Sequence, residues 1–169
     1  PIVDGSGIKN TLERRVVKIF EASRGLSLAG RKALVVCAVD RFGLAEALVA
    51  AGANVVFGDL LYGLGLPVPL RSLRTLDRLA RIVAPFVCQL PISVFYPTGD
   101  KQTQSVPRFS RYFQEADIIA GDFHFIRRYM PPTLPDKIII TNTVTREDEE
   151  LLRDRGVATL VTTTPEMGG

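Results

Sequence analysis

Five short apolar runs punctuate the chain, and each ends in polar or glycine-marked residues. They are Ala33 to Val39, Val55 to Phe57, Ile118 to Ala120, Ile138 to Ile140 and Thr159 to Val161. Unbroken apolar runs of this length suit strands buried on both faces, as in a parallel sheet covered by helices. The turns after them are Asp40-Arg41-Phe42-Gly43, Gly58-Asp59, Gly121-Asp122, Thr141-Asn142-Thr143 and Thr162-Thr163-Thr164. In parallel sheets ligands bind beyond the carboxyl ends of the strands, so these turns mark the expected crevice.

Helices are expected between the strands. A short strand at Ile2-Val3 precedes a helix from Ile8 to Ser23, with Leu12, Val16, Ile19 and Phe20 on its inner face. Phe42 to Ala51 reads as a compact apolar helix with Gly52 at its C-terminal stop. Leu60 to Leu70 is rich in glycine, proline and large apolar residues. It reads as an irregular loop packed on a neighbour, a lid or a second chain, which makes a homodimer an expectation. Arg71 to Ala84 is helical up to Pro85, with Arg71, Arg74, Arg78 and Arg81 on one side. Pro91 to Thr103 forms a second loop, and Pro107 opens a helix reaching Glu115. Asp122 is the expected N-cap of a helix over Phe123 to Met130. Thr145 and Asp148 read as a capping box for a helix ending near Arg155. The fold class is therefore α/β: a three-layer α/β/α sandwich with a mostly parallel sheet, similar to Rossmann-type domains.

The 169 residues favour one domain, 1–169, with a substantial core. An opening Pro1 and a trailing Gly168-Gly169 point to a fragment of a longer chain. No apolar run approaches the ~20 residues that span a bilayer, and no signal-peptide pattern is present. Cys37 and Cys88 lie in apolar or helical runs and read as buried thiols of a cytoplasmic protein. His124 is the single histidine, and no Cys/His cluster has ligand spacing, so no metal is expected. A net charge of +3 favours an anionic small molecule over nucleic acid, and the arginine face lacks interleaved stacking aromatics. That face fits either an acidic partner or bulk solvent.

Four groups of residues are chemical candidates. Asp4, Gly5, Ser6, Gly7 and Lys9 form a glycine turn entering a helix, either an anion cradle or a capped turn. The glycine spacing is not that of a Walker A loop. Asp40, Arg41, Gly43 and Asp59 occupy the first β-α-β unit, where Asp59 has the position of a ribose-binding acid and Arg41 that of a phosphate holder. Only Gly43 of the usual three glycines is present, and the alternative role of Asp40 and Asp59 is to cap helices or turns. Thr141 and Asn142 complete the rim. His124 is an acid/base candidate or a histidine stacked between Phe123 and Phe125. Asp100-Lys101 is an acid/base pair or a solvated loop tip.

Three segments carry a family resemblance: Val3 to Arg15, Asp40 to Leu48 and Gly121 to Ile126. Together they resemble a bacterial family commonly named quinate 5-dehydrogenase, across nearly the whole chain. The resemblance implies NAD- or NADP-dependent oxidation at a hydroxyl of quinate or shikimate. It also implies that this sequence is the central and later part of a longer protein. Enzymes of that activity pair a lysine in an Asn-Val-Thr-x-Pro-x-Lys segment with an aspartate in Asn-Thr-Asp-Gly. Asp4-Gly5 matches the end of the second, and no segment here matches the first. Two other readings stand beside the dehydrogenase: a non-catalytic nucleotide- or anion-binding module, and an assembly domain.

Overall fold

Five parallel strands form one sheet in the order β2-β1-β3-β4-β5. The computed structural model describes residues 6–87, 89, 106–142 and 144–164. The strands are β1 (Lys32–Val35), β2 (Asn54–Phe57), β3 (Ile118–Ala120), β4 (Ile138–Thr141) and β5 (Thr159–Thr162). The helices are α1 (Ser6–Arg24), α2 (Phe42–Ala50), α3 (Leu73–Val87), α4 (Ser110–Glu115), α5 (Phe123–Tyr129) and α6 (Arg146–Asp154). The expected strand at Ile2-Val3 and the loop from Pro91 to Thr103 lie outside the described residues.

Strand side chains alternate between the two faces of the sheet. Ala33, Val35, Ile118, Ala120, Ile138 and Ile140 meet α1, α2 and α3 through Val17, Phe20, Leu44, Leu48 and Leu76. Leu34, Val36, Ile119 and Ile139 meet α4, α5 and α6 through Phe113, Phe123, Ile126 and Leu152. Both faces are covered, so the central strands carry no polar alternation. This is the three-layer, Rossmann-like α/β architecture. From β1 the chain passes to β2 on one side, and from β3 to β4 on the other. The adjacent ends of β1 and β3 are thus the switch point of the sheet.

Local signals explain most boundaries. Gly52 follows α2 at φ +79°, a conformation that a side chain would strain. Asp122 accepts the His124 N–H and starts α5. Thr145 and Asp148 satisfy each other's backbone N–H groups at the start of α6.

Several expectations need correction. The buried side of α1 holds Glu13, Val17 and Phe20, whereas Leu12 and Ile19 are exposed. The face is turned because α1 packs on α2 at Gly43, where a Cβ would lie 3.0 Å from Asn10 O and Glu13 Oε2. Part of the apolar loop is regular: Asp59–Gly63 makes one π-helical turn that buries Leu61 and Tyr62. Leu61 and Tyr62 pack within this chain, while Leu64, Leu66 and Val68 stay about half exposed. Helix α3 carries Pro85 in its last turn instead of stopping before it. Helix α4 begins at Ser110 rather than Pro107, after Phe109 at φ +50°.

Candidate functional site

The loops that leave β1, β3, β4 and β5 gather on one rim, as parallel pairing requires. α1 crosses this rim and brings Lys9 and Glu13 to it. A cleft of about 310 Å³ lies there, lined by Ile8, Lys9, Leu12, Glu13, Arg41, Asn142, Thr163 and Thr164. A depression of about 340 Å³ sits at the opposite edge, beside Lys32, Asn54 and Arg71. The carboxyl rim is the better candidate because strand-end loops and the switch point converge only there.

Arg41 is the hub of the rim. Its guanidinium reaches Glu13 at 3.1 Å, Asp122 at 2.8 Å and Asp40 at 3.2 Å. The Asp40 contact is an ion pair without hydrogen-bond alignment, which leaves Nε without an acceptor. Burial disfavours the charged guanidinium. The Asp122 hydrogen bond and the Asp40 and Glu13 carboxylates more than offset this, so the Arg41 pKa is raised. Lys9 Nζ donates to the Asp40 carboxylate at 3.0 Å and to its backbone carbonyl at 2.7 Å.

The β3 and β4 ends are tied by a second network. Asn142 Nδ2 donates to Asp122 at 2.9 Å, and its Oδ1 accepts the Phe123 N–H and the Thr141 hydroxyl. Gly121 O lies 2.8 Å from Thr141 Oγ1 and competes with Asn142 Oδ1 for the single hydroxyl proton. Asp59 accepts backbone N–H groups from Val39 at 2.9 Å and Ala38 at 3.2 Å. Burial raises the Asp59 pKa, and these hydrogen bonds oppose the rise without cancelling it. Burial, and then the Asp59 charge, pushes the nearby Cys37 thiol up to about 12.

The structure brings together Lys9, Asp40, Arg41, Thr141 and Asn142. It places Gly43 against α1 and turns Asp59 into the β1 loop. The imidazole of His124 is not stacked away between Phe123 and Phe125, because the residue is exposed. Gly7 lies within α1, and an added Cβ there would meet nothing within 4 Å. Ser6 is the first residue of α1. Asp4, Gly5, Asp100 and Lys101 lie outside the described residues. Arg71, Arg74, Arg78 and Arg81 are exposed, and Arg81 pairs with Asp77.

Sequence reading missed Glu13, which is 1% exposed and bridges α1 to α2. Its available signal was an acid one residue off the apolar stripe of an amphipathic helix. Asp122 caps α5, as expected, and its carboxylate is also an ion-pair partner of Arg41. Among the described residues no group of three or more His, Cys, Asp or Glu side chains is arranged to hold a metal, and no helix is long and apolar enough to cross a membrane.

NAD or NADP in the ordinary pose does not fit these residues. That pose needs free N–H groups at the start of α2 and a free acid after β2. Here Glu13 Oε2 accepts the Leu44 N–H at 3.2 Å, and both Asp59 oxygens are engaged by backbone.

The fold and rim define a Rossmann-like α/β domain with a carboxyl-edge cleft. The chain belongs to the family described as Domain of unknown function (DUF8754), whose model matches residues 7–169. No curated protein matches the sequence. Among solved structures, the chain is similar to a putative D-3-phosphoglycerate dehydrogenase oxidoreductase from Ralstonia solanacearum. The identity is 13%, the TM-score is 0.36, and the match covers 85% of this chain and 38% of that one. The chain thus spans well under half the length of that protein.

Proposed function

We propose that this domain binds a small hydroxylated carboxylic acid, of the quinate or shikimate kind, in the rim cleft. The observation that carries the reading is Lys9. It lines the cleft with 36% of its side chain exposed, against 12% for Arg41. Lys9 can therefore share its ammonium with an incoming carboxylate, while Arg41 stays locked to protein acids. Asn142, Thr163 and Thr164 supply amide and hydroxyl groups suited to ligand hydroxyls, and Ile8 and Leu12 offer an apolar wall for a carbon ring. The family resemblance of the segments around Asp4, Asp40 and Gly121 supports the same ligand class.

A second reading is an oxidoreductase that uses NAD or NADP at a hydroxyl of that acid. The switch-point cleft and the family resemblance favour it. It requires the cofactor to lie outside the ordinary seat, with His124 or Lys101 as the proton-transfer candidate. Calorimetric titration with quinate and shikimate, for the wild type and for Lys9→Met, tests the first reading. Binding that weakens about tenfold in the variant is expected. No heat with either acid at about 10 mM would remove that reading. Turnover of a bound acid with NAD or NADP would select the second.

A further inference from the structure

We propose that Glu13 is a resident anion in the seat where dinucleotide-binding folds place a pyrophosphate, and that α1 thereby keeps this chain from taking NAD or NADP in the ordinary pose. The seat is identified by position. It is the start of the first helix after β1, beside the switch point between β1 and β3. A carboxylate already fills it. Glu13 Oε2 accepts the Leu44 N–H at 3.2 Å, and Oε1 accepts from Arg41 Nη1 at 3.1 Å. The pair of contacts, one backbone N–H and one guanidinium, is the set that a phosphate oxygen would seek.

The glycine of the turn tells the same story independently. In a cofactor-binding turn, a bare backbone lets the pyrophosphate approach. At Gly43 that space is taken by α1, with Asn10 O, Glu13 Oε2 and Asn10 Cα all within 3.0–3.1 Å of a would-be Cβ. Asp59 takes two more donors of the loop, because Ala38 and Val39 direct their N–H groups to it. Two protein carboxylates therefore occupy three backbone N–H groups of the loop and helix start.

An amide-resolved titration tests this. With the wild type, NAD, NADP and inorganic phosphate, each to about 1 mM, should leave the Leu44, Ala38 and Val39 amides unmoved. Glu13→Ala frees the Leu44 N–H and one nitrogen of Arg41. In that variant inorganic phosphate should shift the Leu44 amide and bind at least about tenfold more tightly than to the wild type. Wild-type binding of either nucleotide with a perturbed Leu44 amide would overturn the proposal. So would a folded Glu13→Ala protein that ignores phosphate. Should that variant not fold, the wild-type titration decides. Quinate is titrated in a separate arm, so failure of the hydroxy-acid reading would appear there and leave this inference standing.

Discussion

Replacing Arg41 with alanine removes the cation that three carboxylates share. Two of them are deep: the side chains of Glu13 and Asp122 are 1% and 10% exposed. Breaking a buried ion pair by deleting one partner costs about 3–5 kcal/mol, since the remaining charge stays desolvated. Asp40 adds little to this figure, because its half-solvated side chain is screened by water. The expected loss for Arg41→Ala is therefore about 3–5 kcal/mol, a large part of a typical total of ~5–15 kcal/mol. The Lys9–Asp40 pair is the control. It is more than a third exposed on the lysine side, so Lys9→Ala should lose less than about 1 kcal/mol. Urea unfolding followed by far-ultraviolet circular dichroism suits a chain without tryptophan. A conservative variant gives a second readout. Arg41→Lys, which keeps a cation but loses the fork that reaches several acids at once, should recover only part of the loss. A deficit below about 1 kcal/mol for Arg41→Ala would show that the network is screened by solvent and refute the reasoning.

Three further outcomes are expected. Gly58→Ala should lower the thermal midpoint, with a cost of about 1–3 kcal/mol, because its Cβ would sit 2.5 Å from the Tyr62 ring and 2.8 Å from Val36 O; an unchanged midpoint would mean that the π-turn moves freely. In a Cys88→Ser background, Cys37 should react with a disulfide reagent near pH 8 about a thousandfold more slowly than in the unfolded chain, since a thiol pushed up to about 12 holds little thiolate. The raised pKa of Asp59 means that its ionisation opposes folding: stability is lost as pH rises from the unfolded value, about 3.9, through the folded one. Asp59→Asn removes that loss but also an acceptor for the Ala38 or Val39 N–H. Its deficit against the wild type, measured by urea midpoints, should therefore narrow as pH rises, and a widening deficit would contradict the assignment.

Much of the scaffold was legible because its signals are local. Runs such as Ile138 to Ile140, apolar on both alternating faces, are compatible with little except strands buried in a parallel sheet. The caps at Asp122 and Thr145 and the stop at Gly52 each use atoms within a few residues of one another. Such contacts can be inferred from spacing alone. From them followed the single rim on which Asp40, Arg41, Thr141 and Asn142 meet.

What only the tertiary structure decided was which of those polar groups remain available. Periodicity placed Leu12 and Ile19 inside, because a helix is ordinarily read from its apolar residues. The packed protein buries Glu13 instead. A carboxylate enters a core only when a partner restores what water gave it, and that partner, Arg41, lies 28 residues away on another element. Likewise, Asp59 stands in sequence where a ribose-binding acid belongs, yet its oxygens turn back to Ala38 and Val39, 21 and 20 residues earlier. The order of residues determined the sheet and its edge, since hydrophobic burial and capping act over short distances. Which charges face the cleft and which are consumed within the protein depended on long-range pairing, where desolvation is repaid only by geometry that the folded chain provides.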